Sequence, residues 1–248
     1  MIDLQNILSF TRRACENYDM LKNGDKVAVG VSGGKDSLTL LVALANLRNF
    51  YPEKYELCAI TVDMGFPDTD YSPIAKLCKE LGVEYHVVSS QIYEVIFNVR
   101  KESNPCSLCA RMRRGAINDA AKALGCNKLA LGHNYDDVVE TVLLNLFYAG
   151  RFGSFAPVTY LDRSDLTVIR PLIYAPEGSV AAFTRNSWLP VVESKCPANG
   201  NTQREEMKKL MYSLQKDNPS VIKNIFGALE RAQGTGYEKH PRTEKGEV

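Results

Sequence analysis

Along residues 4–20 the apolar positions Leu4, Ile7, Leu8, Phe10 and Ala14 recur at helical spacing, which predicts an N-terminal helix. Asn23-Gly24-Asp25 marks a turn, and 26–31 is a short β-branched run of the kind a buried strand presents. From there two periods alternate. Residues 37–47, 71–81, 92–100, 111–124 and 136–149 read as helices, and 55–63, 84–88, 128–131 and 167–169 as strands. Gly82 and Gly125 stand where helices commonly stop, and Asn104-Pro105 is expected to break the helix before it. Residues 179–186, 202–215 and 220–231 add helices, and the polar tail from Gln233 is expected to fray.

Strands alternating with helices from 26 to 170 predict an α/β fold: a Rossmann-like parallel sheet of about five strands with helices on both faces. Ligands of such sheets bind beyond the carboxyl ends of the strands. Pro171, Pro176 and Gly178 cluster at the one candidate boundary. Three segments are expected: an N-terminal helical segment 1–25, the α/β domain 26–175, and a C-terminal helical extension 176–248.

Composition narrows the function classes. With 248 residues, 45% apolar content and 24% charged content, the chain can bury a core. A net charge of +1 excludes a bulk-basic nucleic-acid binder, so any RNA contact has to come from a local patch. No apolar run reaches the ~18 residues of a membrane span, and the first residues lack a secretory pattern. A cytoplasmic protein with reduced thiols is expected. Seven cysteines suggest no disulfide framework, and Cys15, Cys58, Cys78 and Cys126 read as small buried hydrophobes.

The most specific local pattern is Ser32-Gly33-Gly34-Lys35-Asp36-Ser37, between the first strand and its helix. Gly33 and Gly34 let backbone N–H groups approach an oxyanion, and the helix start points its free N–H groups at the same spot. Lys35, Ser32 and Ser37 can add contacts. A Walker A loop is excluded because Asp36 follows Gly34-Lys35, and G-x-G-x-x-G is not satisfied from Gly30. Asp36 inside a phosphate cradle would repel the ligand unless a cation such as Mg²⁺ is shared. Asp63 ends the second strand, where a nucleoside would rest beside the loop.

Cys106-x-x-Cys109, placed on a loop, supports three readings: redox chemistry, a zinc site completed by further ligands, or an iron–sulfur cluster with Cys196 as a third thiolate. A cluster on three thiolates leaves one iron open to substrate or sulfur. Leu131-Gly132-His133-Asn134-Tyr135-Asp136-Asp137 lies at the same sheet edge as the glycine loop. Asp136 and Asp137 open this helix, where the bland alternative for an acid is capping and dipole compensation; Asp137 is the candidate for catalysis or metal positioning, and His133 for a nucleotide phosphate contact. Arg111, Arg113 and Arg114, with Arg100 and Lys101 before them and Arg151 and Arg170 beyond, form the candidate basic patch. Tyr148 and Phe152 could stack on an unpaired base.

Residues 32–37 resemble the SGGxDS signature of PP-loop ATP pyrophosphatases. Cys106-Ser107-Leu108-Cys109-Ala110-Arg111-Met112-Arg113-Arg114-Gly115, the segment 131–141, and Cys196 before Gln203-Arg204 are similar to the matching segments of the TtcA family of tRNA 2-thiocytidine synthetases. Together they cover roughly residues 4–215. The family's late C-x-x-C is reduced here, since Glu193 occupies its first position, and three candidate ligands remain. The resemblance implies ATP, Mg²⁺ and a [4Fe-4S] cluster on Cys106, Cys109 and Cys196, with Lys35, Asp36 and Asp137 serving catalysis. It implies a tRNA sulfurtransferase that adenylates a cytidine of the anticodon loop, releases AMP and pyrophosphate, and takes sulfur from a cysteine desulfurase or sulfide. Many such relatives are homodimers. Alternatives of other classes stay open: a lysidine-type ligase, an enzyme acting on a free small molecule, or a non-catalytic iron–sulfur sensor.

Overall fold

The computed structural model describes residues 4–100, 105–192, 195–196 and 203–239. Lys101, Asn104, Glu193, Ser194, residues 197–200, Thr202 and the tail from 240 lie outside the described residues. Eight α-helices are described: α1 Leu4–Asn17, α2 Lys35–Leu47, α3 Ser72–Glu80, α4 Pro105–Ala123, α5 Tyr135–Ala149, α6 Glu177–Asn186, α7 Gln203–Asp217 and α8 Val221–Arg231. The strands are β1 Asp25–Gly30, β2 Tyr55–Asp63, β3 Glu84–Ser89, β4 Lys128–Ala130, β5 Val158–Leu161 and β6 Leu166–Ile169, ordered β3-β2-β1-β4-β6-β5.

All pairings are parallel except β5 on β6. The reading of about five strands becomes six, because β5 is an antiparallel edge strand of four residues after Pro157. So short a run carries no usable period, and it is held by its register with β6, Val158 opposite Ile169.

Alternation along each strand splits the core in two. Val27, Val29, Ala59, Ala130 and Ile169 join the large cluster shared with α1, α2, α3, α5, α6, α7 and α8. Ala28, Cys58, Ile60, Leu129 and Val168 face the other way, where Ile117 and Ala121 of α4 and Leu124 just after it cover them. Cys15, Cys58, Cys78 and Cys126 are buried as expected of small hydrophobes.

Two local differences bear on the site. Residues 94–99 form a π-helical turn, with Arg100 N–H donating to the Val95 carbonyl. Pro105 opens α4 instead of only ending what precedes it, so Cys106 and Cys109 sit on a helix and not on a loop. A proline costs nothing at a first helical position, where its missing N–H would be unpaired anyway. The i,i+3 spacing then sets both thiols on one helical face.

Candidate active site

At the carboxyl end of β1 the chain turns through Ser32–Gly34 into α2. Ser37 Oγ donates to the Gly34 carbonyl (2.9 Å) and accepts from Ser32 N–H (3.1 Å), and Gly34 N–H reaches Ser32 Oγ (3.3 Å). Both serine hydroxyls therefore brace the loop from inside. No side chain caps α2 at Gly34, which leaves the positive end of the helix open to an anion. Gly33 sits at φ +85, where a side chain would be strained, and a Cβ there would lie 2.9 Å from Val192 Cβ. Val192 N–H donates to the Gly33 carbonyl (3.0 Å), so the segment leading to Cys196 is pinned across the loop. Lys195 Nζ fixes the same segment to the carbonyls of Pro67 (3.1 Å) and Asp68 (2.6 Å).

The second wall is the start of α5. Gly132 brings its backbone against α2; a Cβ there would fall 2.9 Å from the Asp36 carbonyl carbon. That approach lets Asn134 Nδ2 donate to Asp36 Oδ1 (2.9 Å). Asn134 also caps α5: its Oδ1 accepts from Asp136 N–H and Asp137 N–H, while Asp137 Oδ2 accepts from Asn134 N–H. Asp136 turns away and accepts Glu177 N–H at 2.6 Å, so it serves the start of α6.

Lys35, Asp36, Cys106, Cys109, Arg113, Asp137 and Cys196 line one cleft of about 430 Å³. Ser32, Gly33, Gly34 and Ser37 shape its floor loop without lining it. Asp63 Oδ1 accepts from Gly65 N–H (3.0 Å), and its neighbour Met64 lines the cleft instead, with Cys109 Sγ–H 3.8 Å from Met64 Sδ. Arg111 and Arg114 are exposed on α4 beside Arg113. Arg170 does not join that patch. Its guanidinium is buried over the Phe155 ring and donates to Thr159 Oγ1 (3.1 Å), and burial pushes it down to about 10. Tyr148 and Phe152 are exposed, and the Tyr148 hydroxyl donates to Glu206.

The sequence did not single out the charges that α6 and α7 add. Glu177 Oε1 lies between Lys35 Nζ (3.1 Å) and Lys208 Nζ (2.7 Å). Arg204 Nη1 reaches Asp137 Oδ1 (3.2 Å) and Glu140 Oε2 (3.1 Å). Burial works against the Lys35 charge, but Asp36 and Glu177 outweigh it and hold its ammonium above the usual range. Burial, with Asp137 alongside, raises the Glu140 carboxyl to about 7 although Arg204 opposes it. The signal for Arg204 lay in the Gln203-Arg204 pair; Glu177 and Lys208 carried none, since only the packing of α6 and α7 brings them to Lys35.

Burial raises the Cys109 thiol, Arg113 counters it, and Cys196 and Cys106 raise it further, so Cys109 senses both other cysteines of the cleft. Three thiols with no histidine among the lining residues is a donor set suited to an iron–sulfur cluster. Among the described residues no three of His, Cys, Asp and Glu stand close enough to hold a metal ion as placed. A bound cluster would have to draw the thiols in.

The glycine loop at the sheet edge is the mark of a PP-loop domain, and the family model of that domain matches residues 6–213. The chain is 43% identical over 235 residues to a tRNA-cytidine(32) 2-sulfurtransferase of Geobacter sulfurreducens, spanning 94% of this chain and 91% of the relative. It is 40% identical over 232 residues to one of Syntrophotalea carbinolica, at 92% and 90% coverage. A similar solved structure is the U34-tRNA thiolase NcsA from Methanococcus maripaludis with its [4Fe-4S] cluster: TM-score 0.73, 28% identity, 93% of this chain and 81% of that one. The chain belongs to the PP-loop family and, within it, to the tRNA-cytidine(32) 2-sulfurtransferases. No described helix is long and apolar enough to cross a membrane.

Proposed function

We propose that this enzyme uses ATP to replace the C2 oxygen of a tRNA cytidine, position 32 as in its relatives, by sulfur. The observation that carries the reading is the shared cleft: the phosphate-loop residues Lys35 and Asp36, the helix-start carboxylate Asp137 and the three thiols of Cys106, Cys109 and Cys196 all line it. The C2 oxygen attacks the α-phosphorus of ATP, the bond to pyrophosphate breaks, and the base becomes an O-adenylate. A sulfur nucleophile then adds at C2 and AMP leaves with the oxygen.

The open start of α2 and Lys35 hold the pyrophosphate and stabilise charge developing on it. Asp36 and Asp137 are the carboxylates that would hold Mg²⁺, which would screen phosphate charge, while Lys35 and Arg204 supply cations beside them. Asp63 and Met64, at the tip of β2, border the nucleoside position. His133 does not line the cleft; it packs against Phe155 and is kept neutral by burial, so its part would be that of a neutral hydrogen-bond partner and not of a cation. A [4Fe-4S] cluster on Cys106, Cys109 and Cys196 would supply an iron site without a protein ligand for the incoming sulfur. Arg111, Arg113 and Arg114 contact the RNA near the reacting base, and Arg113 offsets thiolate charge as well. The sulfur comes from a cysteine desulfurase or sulfide. The expected setting is the cytoplasm, and a homodimer is the expected assembly.

The test is anaerobic purification of the wild type and of Cys196→Ala, with iron and sulfide analysis and an absorption spectrum. About four irons and four sulfides per chain are expected, lost in the variant, together with ATP-dependent thiolation of tRNA by the wild type alone. Zinc, or no metal at all in active wild type, would overturn the cluster reading and leave a PP-loop enzyme with another sulfur route.

A further inference from the structure

A second depression, about 390 Å³, lies between α1 and α8. It shares the start of α5 with the cleft: Asn134 and Asp137 line the cleft, while Tyr135 lines this groove. Its floor is aromatic. Tyr135 stacks on Phe226 with ring centroids 4.2 Å apart, and Tyr174 lies beside them. Its rim is cationic: Arg13 from α1, Lys223 and Arg231 from α8, and Lys239.

The only carboxylate among the lining residues, Glu230, is already engaged. It accepts from the Tyr174 hydroxyl (3.0 Å) and pairs with Lys239 Nζ (3.0 Å). Arg13, Lys223 and Arg231 are exposed and have no carboxylate partner among the described residues. Neighbouring positions differ in this respect, since Arg12 is paired with Glu16 at 2.7 Å. Arg13 instead lies over the Tyr174 ring, 4.3 Å from its centroid, which orders the guanidinium without neutralising it. In a protein of net charge +1, three unpaired cations around one groove are a local excess that a polyanion would satisfy.

We infer that the groove between α1 and α8 is a second RNA contact, binding the phosphodiester backbone of the tRNA away from the reacting base. This rests on the tRNA reading above. Phosphate contacts of this kind fix where an RNA lies without reading its sequence, so they act on KM more than on kcat.

The test is tRNA binding and thiolation by the holoenzyme carrying Arg13→Glu, Lys223→Glu and Arg231→Glu together, over a series of salt concentrations. Melting of the variant and equilibrium dialysis with ATP serve as controls. The expected result is a rise in tRNA Kd of about 30-fold or more, with the slope of log K against log salt falling by about 2–3, near one per cation removed. KM for tRNA rises while kcat and ATP binding hold. The triple alanine variant shows the same direction with a smaller loss, and Arg12→Glu shows neither. Wild-type Kd and salt slope in both triple variants overturn the inference. Loss of ATP binding in step with tRNA binding also overturns it and makes the groove a nucleotide site. Failure of the wild type itself to bind tRNA is a different outcome, which removes the tRNA reading and this contact with it.

Discussion

His133 shows how far one residue's chemistry depends on chain far from it. Its ring packs 4.6 Å from Phe155, and its Nδ1 is buried without a partner among the described residues. Burial first, then the nearby charges of Arg170 and Arg204, push the imidazole down to about 3, so it stays neutral in the folded protein. In the unfolded chain it binds a proton below about 6.5. Its contribution to stability is therefore complete above about pH 6.5 and is lost as pH falls from there toward 3. Urea unfolding at pH 7, 5.5 and 4.5 should show the wild type losing stability more steeply than His133→Gln; equal slopes would mean the imidazole is solvated. The sequence offered His133 as a phosphate contact from its place after β4, but neither Phe155 nor Arg170 is near it in sequence. Asp137 stands at a helix start, where an acid is also a common capping residue, and it does accept the Asn134 N–H; its place in the cleft comes from the fold. Its pairing with Arg204 was not legible in the sequence, because 67 residues separate the two.

Elements with long, regular periods were legible in the sequence, whereas those defined by a partner were not. Helices α1, α2, α5, α7 and α8 follow from apolar spacing, while β5 exists through its register with β6. The segment from Leu189 to Cys196 has no period at all, yet it carries the third thiol. Its anchor at Val192 depends on Gly33, whose carbonyl accepts Val192 N–H and whose missing side chain leaves room for Val192. The glycine was read in sequence as part of a phosphate cradle; the packing shows it seating Val192. Gly33→Ala should cost about 1–2 kcal/mol through the positive φ alone, and the added Cβ should push Val192, and Cys196 with it, away from the loop. The expected outcome is a fall in thiolation of more than tenfold and a loss of cluster iron, with a melting shift of only a few degrees. Full iron content with lost ATP binding would assign Gly33 to the phosphate alone.

At the scale of the whole molecule, the site is assembled from parts that one core holds in place. Phe226 and Tyr237 share a buried cluster with Ile7, Val29 and Leu41, so the described parts of the N-terminal segment, the α/β domain and the C-terminal extension are expected to unfold together. The Lys128–Asp25 pair tests this from a position remote from the chemistry. Lys128 Nζ lies 2.7 Å from Asp25 Oδ2 and 2.7 Å from the Met20 carbonyl, with both side chains buried where β1, β4 and the chain after α1 meet. Replacing lysine by methionine keeps the apolar stem but leaves Asp25 with only hydrogen-bond donors, Asn127 Nδ2 and Lys22 N–H, against its buried charge. Breaking such a pair costs about 3–5 kcal/mol. If the core is one cooperative unit, Lys128→Met lowers a single melting transition for the entire chain, seen alike in tyrosine absorbance, helix signal and loss of cluster absorbance. Thiolation well below that transition stays near wild type. A melt in two steps, with the cluster and α6–α8 released apart from the sheet, would show instead that the C-terminal segment is a separate unit whose docking completes the site.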